Sequence, residues 1–289
     1  MKYINGCAGL WKRLLLALLW QRQTCLHMFL AGAFMFVGST KPVLGVTVSE
    51  LVSTYREKSN GELRGIVDQE GVRLSQIVNV QFPDFKSDDR DWAKFEESLP
   101  KWETLAAVKV LAERYDTDAL PVLRSAAKEM ALWYRRVTYP EGDGGPYRTN
   151  KRLSDRFTLV YDTLAEAIVI LAIGKHDSEV ERILALSETI SNIPIDVLSY
   201  LYPEHYGAYT LLGKVAVTAE TEPVLLELLE SHPNEHVRMG AMTALTKQGQ
   251  GGRGYSRAVK EAIERLSFSN TTSLETRKAA IYALPVVLG

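Results

Sequence analysis

The sequence predicts an all-α fold: an α-solenoid of helical hairpin repeats behind an irregular N-terminal cap. Three observations carry this reading. The C-terminal end is internally duplicated, with Arg238, Ala241, Ala244 and Leu245 recurring as Arg277, Ala280, Ala283 and Leu284, each 39 positions later. The helix before it recurs with a 37-residue offset, Leu225, Leu226 and Leu229 becoming Ala262, Ile263 and Leu266. A repeat of that length in paired helices marks units that bury their apolar faces on one another. Elsewhere, apolar residues return at three- and four-residue spacing, as in Leu105, Val108, Leu111 and Ala112, the period of one helix face. Finally, Pro121-Val122-Leu123 is echoed by Pro223-Val224-Leu225. Proline in a first helical turn removes only an N–H that has no partner there, so each echo marks a new helix start.

Residues 1–45 form a distinct leader. Five of the 34 basic residues lie there and none of the 35 acidic ones, so the remainder carries 29 bases against 35 acids, a net charge of −6. Lys12, Arg13 and Arg22 precede the apolar run Leu26–Gly38, and Val43-Leu44-Gly45 offers a small-residue cleavage site before Val46. That order is the layout of a secretory signal peptide. An uncleaved membrane anchor competes with it, because Leu14–Trp20 adds a second apolar patch. Both cysteines, Cys7 and Cys25, lie in the leader. Its removal leaves a chain without disulfides, cysteine nucleophiles or thiolate metal sites. The acidic remainder argues against nucleic acid as a partner, since phosphate affinity comes from clustered Lys and Arg.

The cap covers residues 46–98. Val48, Leu51, Val52 and Tyr55 sit at helical spacing ahead of a break at Asn60-Gly61. Glu62–Phe82 fits either a helix or a short hairpin. Pro83–Ser98 is charged and expected to be loop-rich; its Asp88, Asp89 and Asp91 lack the glycine turn and terminal glutamate of a calcium loop.

The solenoid covers residues 99–289. Helices are expected over Leu99–Tyr115 and Ala119–Val137. A long loop carrying Glu141–Pro146 follows, then a helix over Asp155–Ile173. Ser178 and Glu181 have the spacing of a capping box at the start of the next helix. It ends near Asn192, a short apolar helix follows around Val197, and another runs from Glu204 to Val217. The repeated pair completes the chain.

The stretch His232–Leu245 resembles HEAT and HEAT-like repeats, which have an acidic-Pro turn, then Val-Arg, then an alanine-rich second helix ending in Ala-Leu. Val237-Arg238, Ala241, Ala244 and Leu245 fit that pattern, as do Arg277, Ala280, Ala283 and Leu284. Leu105–Leu123 is similar to the joint between two such repeats. The resemblance implies that alanines let neighbouring second helices approach closely and that each repeat arginine pairs with a turn carboxylate or a helix end. His232 stands where the family often has Asp, and Glu235 and Glu275 are the nearby carboxylates.

Candidate chemistry is sparse. His232–His236 reads HPNEH, which matches a zinc-protease pattern only when both histidines share a helix. Pro233 and Asn234 break that helix, so the stretch is expected to be a turn and no metal site is expected. Tyr200, Tyr202, His205, Tyr206 and Tyr209 surround a proline turn, as a binding pocket or as a rim of half-buried rings. Arg238 and Arg277 form either structural links between repeats or a basic stripe that receives an acidic partner. No phosphate loop, dinucleotide fingerprint or nucleophile elbow is present, and no cofactor is expected. The expected function is that of a secreted or envelope-located scaffold that binds a protein partner along its second helices. A helical-repeat enzyme, a hydrolase or lyase with its site at Tyr200–Tyr209, is the rival. A structural protein tethered to a membrane by an uncleaved leader is the third reading.

Overall fold

The computed structural model describes residues 47–77, 89–138, 151–192, 202–248 and 254–288. The leader, the Glu141–Pro146 loop, the short helix expected near Val197 and Tyr200 lie outside the described residues. All regular structure described is helical. In chain order the helices are α1 (Val48–Tyr55), α2 (Asn60–Gln76), α3 (Asp89–Ser98), α4 (Trp102–Glu113), α5 (Leu120–Thr138) and α6 (Lys151–Ile173). They continue as α7 (Glu179–Ser191), α8 (Pro203–Leu212), α9 (Thr221–Ser231), α10 (Glu235–Gln248), α11 (Arg257–Phe268) and α12 (Leu274–Leu288). Among the described residues no helix is long and apolar enough to cross a membrane.

The first two helices settle the ambiguous region. Asn60-Gly61 is not a break but the first turn of α2. Ser59 is the N-cap, accepting from the Glu62 amide at 3.3 Å while the Glu62 carboxylate takes the Ser59 amide at 2.8 Å. This reciprocal box satisfies two otherwise orphaned donors. The far end of α2 is tied to the start of α4. Buried Glu70 receives two bonds from Arg73 at 2.7 Å and one from the Lys101 amide at 3.0 Å. Arg73 also donates to the Leu99 carbonyl at 2.9 Å. A hairpin over the same residues has no such anchors. Gly71 adds a steric reason: a Cβ there would lie 3.3 Å from the Ala126 Cα of α5.

Residues 89–98, expected to be loop, form α3. Its charge conceals a small apolar face, in which Phe95 is 2% exposed and meets Trp92 edge-on with ring centroids 6.2 Å apart. Two aromatic rings three residues apart suffice to dock a short helix whose Asp91, Ala93, Lys94 and Glu97 stay exposed. At the C-terminus of α4, Tyr115 takes φ 52°, and the Asp116 amide reaches back to the Leu111 carbonyl at 3.1 Å. This is the left-handed helix end for which glycine is usual. The short 3-10 turn Thr117–Ala119 then leads into α5.

From α2 onward the even-numbered helices touch in succession, α2 to α4, α4 to α6, α6 to α8, α8 to α10 and α10 to α12. Each also packs on an odd-numbered neighbour: α5 on α6, α7 on α8, α9 on α10 and α11 on α12. Small residues line the even row. Ala106, Ala107, Ala165, Ala208, Ala241, Ala279 and Ala280 are all buried. The closest approach is at Gly207 of α8, where an added Cβ would lie 2.3 Å from the Ala165 carbonyl oxygen of α6. Here backbone meets backbone with no side chain between.

The buried side chains fall into two apolar clusters. One runs from Val52 to Leu171 and the other from Val169 to Val287, so α6 contributes to both. Helix α8 straddles them as well: Tyr206 packs on the first cluster and Tyr209 on the second.

Candidate functional site

The junction of those clusters carries the most unusual chemistry among the described residues. Asp162 sits on α6 between Val160, Tyr161, Leu164 and Ala165, and is 6% exposed. Tyr206 of α8 donates its hydroxyl to Asp162 Oδ1 at 2.8 Å. One turn further along α6, Glu166 binds the Lys214 ammonium just beyond α8. Lys247 of α10 donates to the Gly213 carbonyl at 3.1 Å. Asp162 and Glu166 share a helix face because they are four residues apart. Five polar side chains from three successive even-row elements therefore converge on one strip.

Burial dominates the electrostatics. Desolvation pushes the Asp162 carboxyl up to about 7; the Tyr206 hydroxyl pulls it down, and Glu166 raises it again. Burial also lowers the Lys247 ammonium below its ordinary range, helped by the neighbouring charge of Lys214. An aromatic run leads to this strip. Tyr134 stacks on Phe157 at 3.8 Å between centroids, Phe157 on Tyr161 at 5.2 Å, and Tyr161 meets Tyr206 edge-on at 5.6 Å. Tyr206 is thereby held from below by rings and from above by a carboxylate, which leaves it little freedom.

Of the residues singled out in sequence, Tyr206 lies at the centre of this strip. Tyr209, half-buried one turn on, packs on the second cluster. Tyr202 precedes α8 and is 40% exposed. His205 turns away from the strip, is 2% exposed and meets the ring of His236 from α10, with centroids 5.2 Å apart and planes at 84°. Among the described residues its Nε2 and the His236 Nδ1 are buried with no hydrogen-bond partner. Burial, then the neighbouring His236, lowers His205 to about 4, and burial lowers His236 in the same direction.

The HPNEH stretch is a turn with a cap. Asn234 Oδ1 accepts from the His236 amide at 2.9 Å and the Val237 amide at 3.4 Å, and His232 Nδ1 accepts from the Asn234 amide at 3.1 Å. Among the described residues no group of three or more His, Cys, Asp or Glu is placed to hold a metal ion.

Arg238 and Arg277 hold turns. Arg238 donates to the His232 carbonyl at 2.9 Å, and Arg277 to the Ser269 carbonyl at 3.4 Å. His232 and Ser269 are the C-caps of α9 and α11, where a cation also meets the negative end of the helix dipole. The carboxylates near them are engaged otherwise. Glu235 accepts from Ser273 Oγ and from the Thr276 amide at the start of α12, while Glu275 pairs with Lys278 at 2.9 Å. Arg238→Ala is expected to cost about 1–2 kcal/mol, and Arg277→Ala less because its bond is longer. Chemical denaturation of the two single variants checks the order.

Asp162, Glu166 and Lys214 escaped notice in sequence. The signal was an aspartate inside the apolar run Leu159–Ile173, four residues before a glutamate. Compared with protein-family models, curated proteins and solved structures, the chain gives no match.

Proposed function

We propose that this all-helical chain is a HEAT-like α-solenoid that acts as an interaction scaffold, secreted or held in a cell envelope, and binds a protein partner along its even-numbered helices without a cofactor. The observation that carries the reading is the unbroken succession α2, α4, α6, α8, α10 and α12. Stacked second helices form an extended surface whose side chains are spaced by the repeat, which suits a chain-like partner. The recurrent turn-holding arginines, Arg238 and Arg277, support the repeat assignment, since equivalent positions do equivalent structural work. Location outside the cytoplasm rests on the basic-apolar-small order of residues 1–45 alone.

The test is site-specific photocrosslinking in cells. A photoreactive residue at Tyr209, on the even row, is expected to trap one dominant protein partner. The same residue at Leu184 of α7, which is 49% exposed on the odd row, is expected to trap none. Equal or exclusive trapping from Leu184 overturns the scaffold face.

One observation favours a second reading, that of an enzyme. A buried carboxyl that titrates near neutral pH beside a tyrosine and a lysine has the properties of a general acid or base. On that reading the work falls to Asp162 and Tyr206, with Glu166 and Lys214 setting the field around them. A chemically defined turnover lost in Asp162→Asn, with the fold intact, distinguishes it from the scaffold.

A further inference from the structure

We propose that Asp162 and Tyr206 form a subsite for a cationic side chain, an arginine or a lysine, presented by the scaffold's protein partner. The inference rests on the scaffold reading for the identity of the ligand's carrier, but its geometry stands by itself.

The other two buried carboxylates among the described residues are each paired with an arginine. Glu70, 3% exposed, is bridged twice by Arg73 at 2.7 Å. Asp116, 9% exposed, lies 3.3 Å from the Arg64 guanidinium. Asp162 is as deeply buried as these, yet its one hydrogen bond among the described residues is the Tyr206 hydroxyl on Oδ1. The one ammonium whose charge bears on Asp162, that of Lys214 among the described residues, is taken by Glu166. A buried anion without a cation is costly, and such charges in folded proteins are normally paired. Two of the three are paired from within the chain; the third lacks only the cation.

The position of Asp162 is suited to receiving one from outside. Glu70 and Asp116 are held by their own arginines, whereas Asp162 lies among partly exposed neighbours. Leu159, Thr163 and Glu166 beside it on α6 are partly exposed, as are Tyr206 and Tyr209 across the gap on α8. A guanidinium entering there meets the free carboxylate oxygen, with the tyrosine rings as faces to stack on. The chain beyond the leader carries a net charge of −6, which favours basic partners overall. The neutral-range titration of Asp162 fits an anion that ionises fully only when its counterion arrives.

The experiment needs no partner protein, so its failure is separate from failure of the crosslinking test. The capped tripeptide acetyl-Gly-Arg-Gly-amide is titrated into the full-length protein and followed by chemical-shift changes. Its uncharged counterpart, with citrulline in place of arginine, serves as the comparison. The arginine peptide is expected to bind at least tenfold more tightly at pH 8 than at pH 5.5, and at pH 8 at least tenfold more tightly than the citrulline peptide. Asp162→Asn preserves the shape and an acceptor for Tyr206, and is expected to abolish both differences while leaving the helical circular dichroism unchanged. Equal affinity for the two peptides overturns the proposal. So does absence of binding at either pH, or an arginine preference that survives in Asp162→Asn. If Asp162→Asn fails to fold, the charge comparison in the native chain decides alone.

Discussion

Gly207→Ala is expected to lower stability by about 3 kcal/mol or more, a large effect for one methyl group. The reason is what the methyl meets. It would lie 2.3 Å from the Ala165 oxygen, 2.5 Å from the Ala165 carbonyl carbon and 3.0 Å from the Glu166 nitrogen. All three are backbone atoms of a long helix, so no rotamer change relieves the clash. Helices α6 and α8 have to move apart, which opens the packing of both apolar clusters at the place where they meet. The same movement stretches the Tyr206–Asp162 bond and the Glu166–Lys214 pair. Gly65→Ala is the control. It is also helical, but nothing lies within 4 Å of its added Cβ, so it is expected to stabilise by roughly 0.5–1 kcal/mol through helix propensity. Urea midpoints of the two variants, measured side by side, check both signs. A Gly207→Ala variant as stable as the native chain overturns the backbone contact between α6 and α8.

The second large effect is the stability that the His205–His236 pair loses in mild acid, which is exposed without offset in the Asp162→Asn variant. Folding lowers His205 from 6.5 to about 4, so below pH 6.5 the unfolded chain binds that proton and the folded chain resists it. The stabilisation is complete above about pH 6.5 and drains away as pH falls toward 4. Each tenfold change in proton affinity is worth about 1.4 kcal/mol, so His205 alone contributes at most about 3.5 kcal/mol. His236 adds in the same direction. Glu235 favours the protonated His236 ring, but burial outweighs it. Glu204 of α8 is held by Arg124 at 2.7 Å, and Glu235 of α10 is occupied at the start of α12. Protonation places two like charges at the contact between α8 and α10, so that joint is expected to open first. Hydrogen exchange at pH 4.5, compared with pH 7, locates it, and His205→Leu is expected to flatten the acid limb.

Asp162 works against this trend. Folding raises its carboxyl from 3.8 to about 7, so the folded chain holds the proton more tightly. Its contribution is complete below about pH 3.8 and is lost as pH rises toward 7. Asp162→Asn is therefore expected to stabilise the chain at pH 8, do little near pH 4, and steepen the acid limb that the histidines produce. Melting curves across that range separate the two groups, because their slopes have opposite sign.

The helical class of this protein and most of its helix positions were legible in sequence, because both depend on neighbours a few residues apart. Leu105, Val108 and Leu111 announce one face of α4 without help from the rest of the chain, and Ser178 with Glu181 announces the start of α7. Helix α3 is not legible in sequence, since its charge outweighs Phe95 and Trp92 in composition, although two rings are enough to bury one side. Tyr206 was picked out by its company of aromatic residues. What it does was not legible, since its partner Asp162 is 44 residues away and the two meet only where α6 and α8 stack. The histidines had the same history. The HPNEH sequence places His236 beside a local turn, and the turn is there, but its ring belongs with His205 on another helix. Local periodicity determines which segments are helical because a helix bonds to itself. Burial of Asp162, orphaning of the histidine nitrogens and contact of Gly207 with the α6 backbone were decided by tertiary structure, because each requires two distant segments to exclude water together.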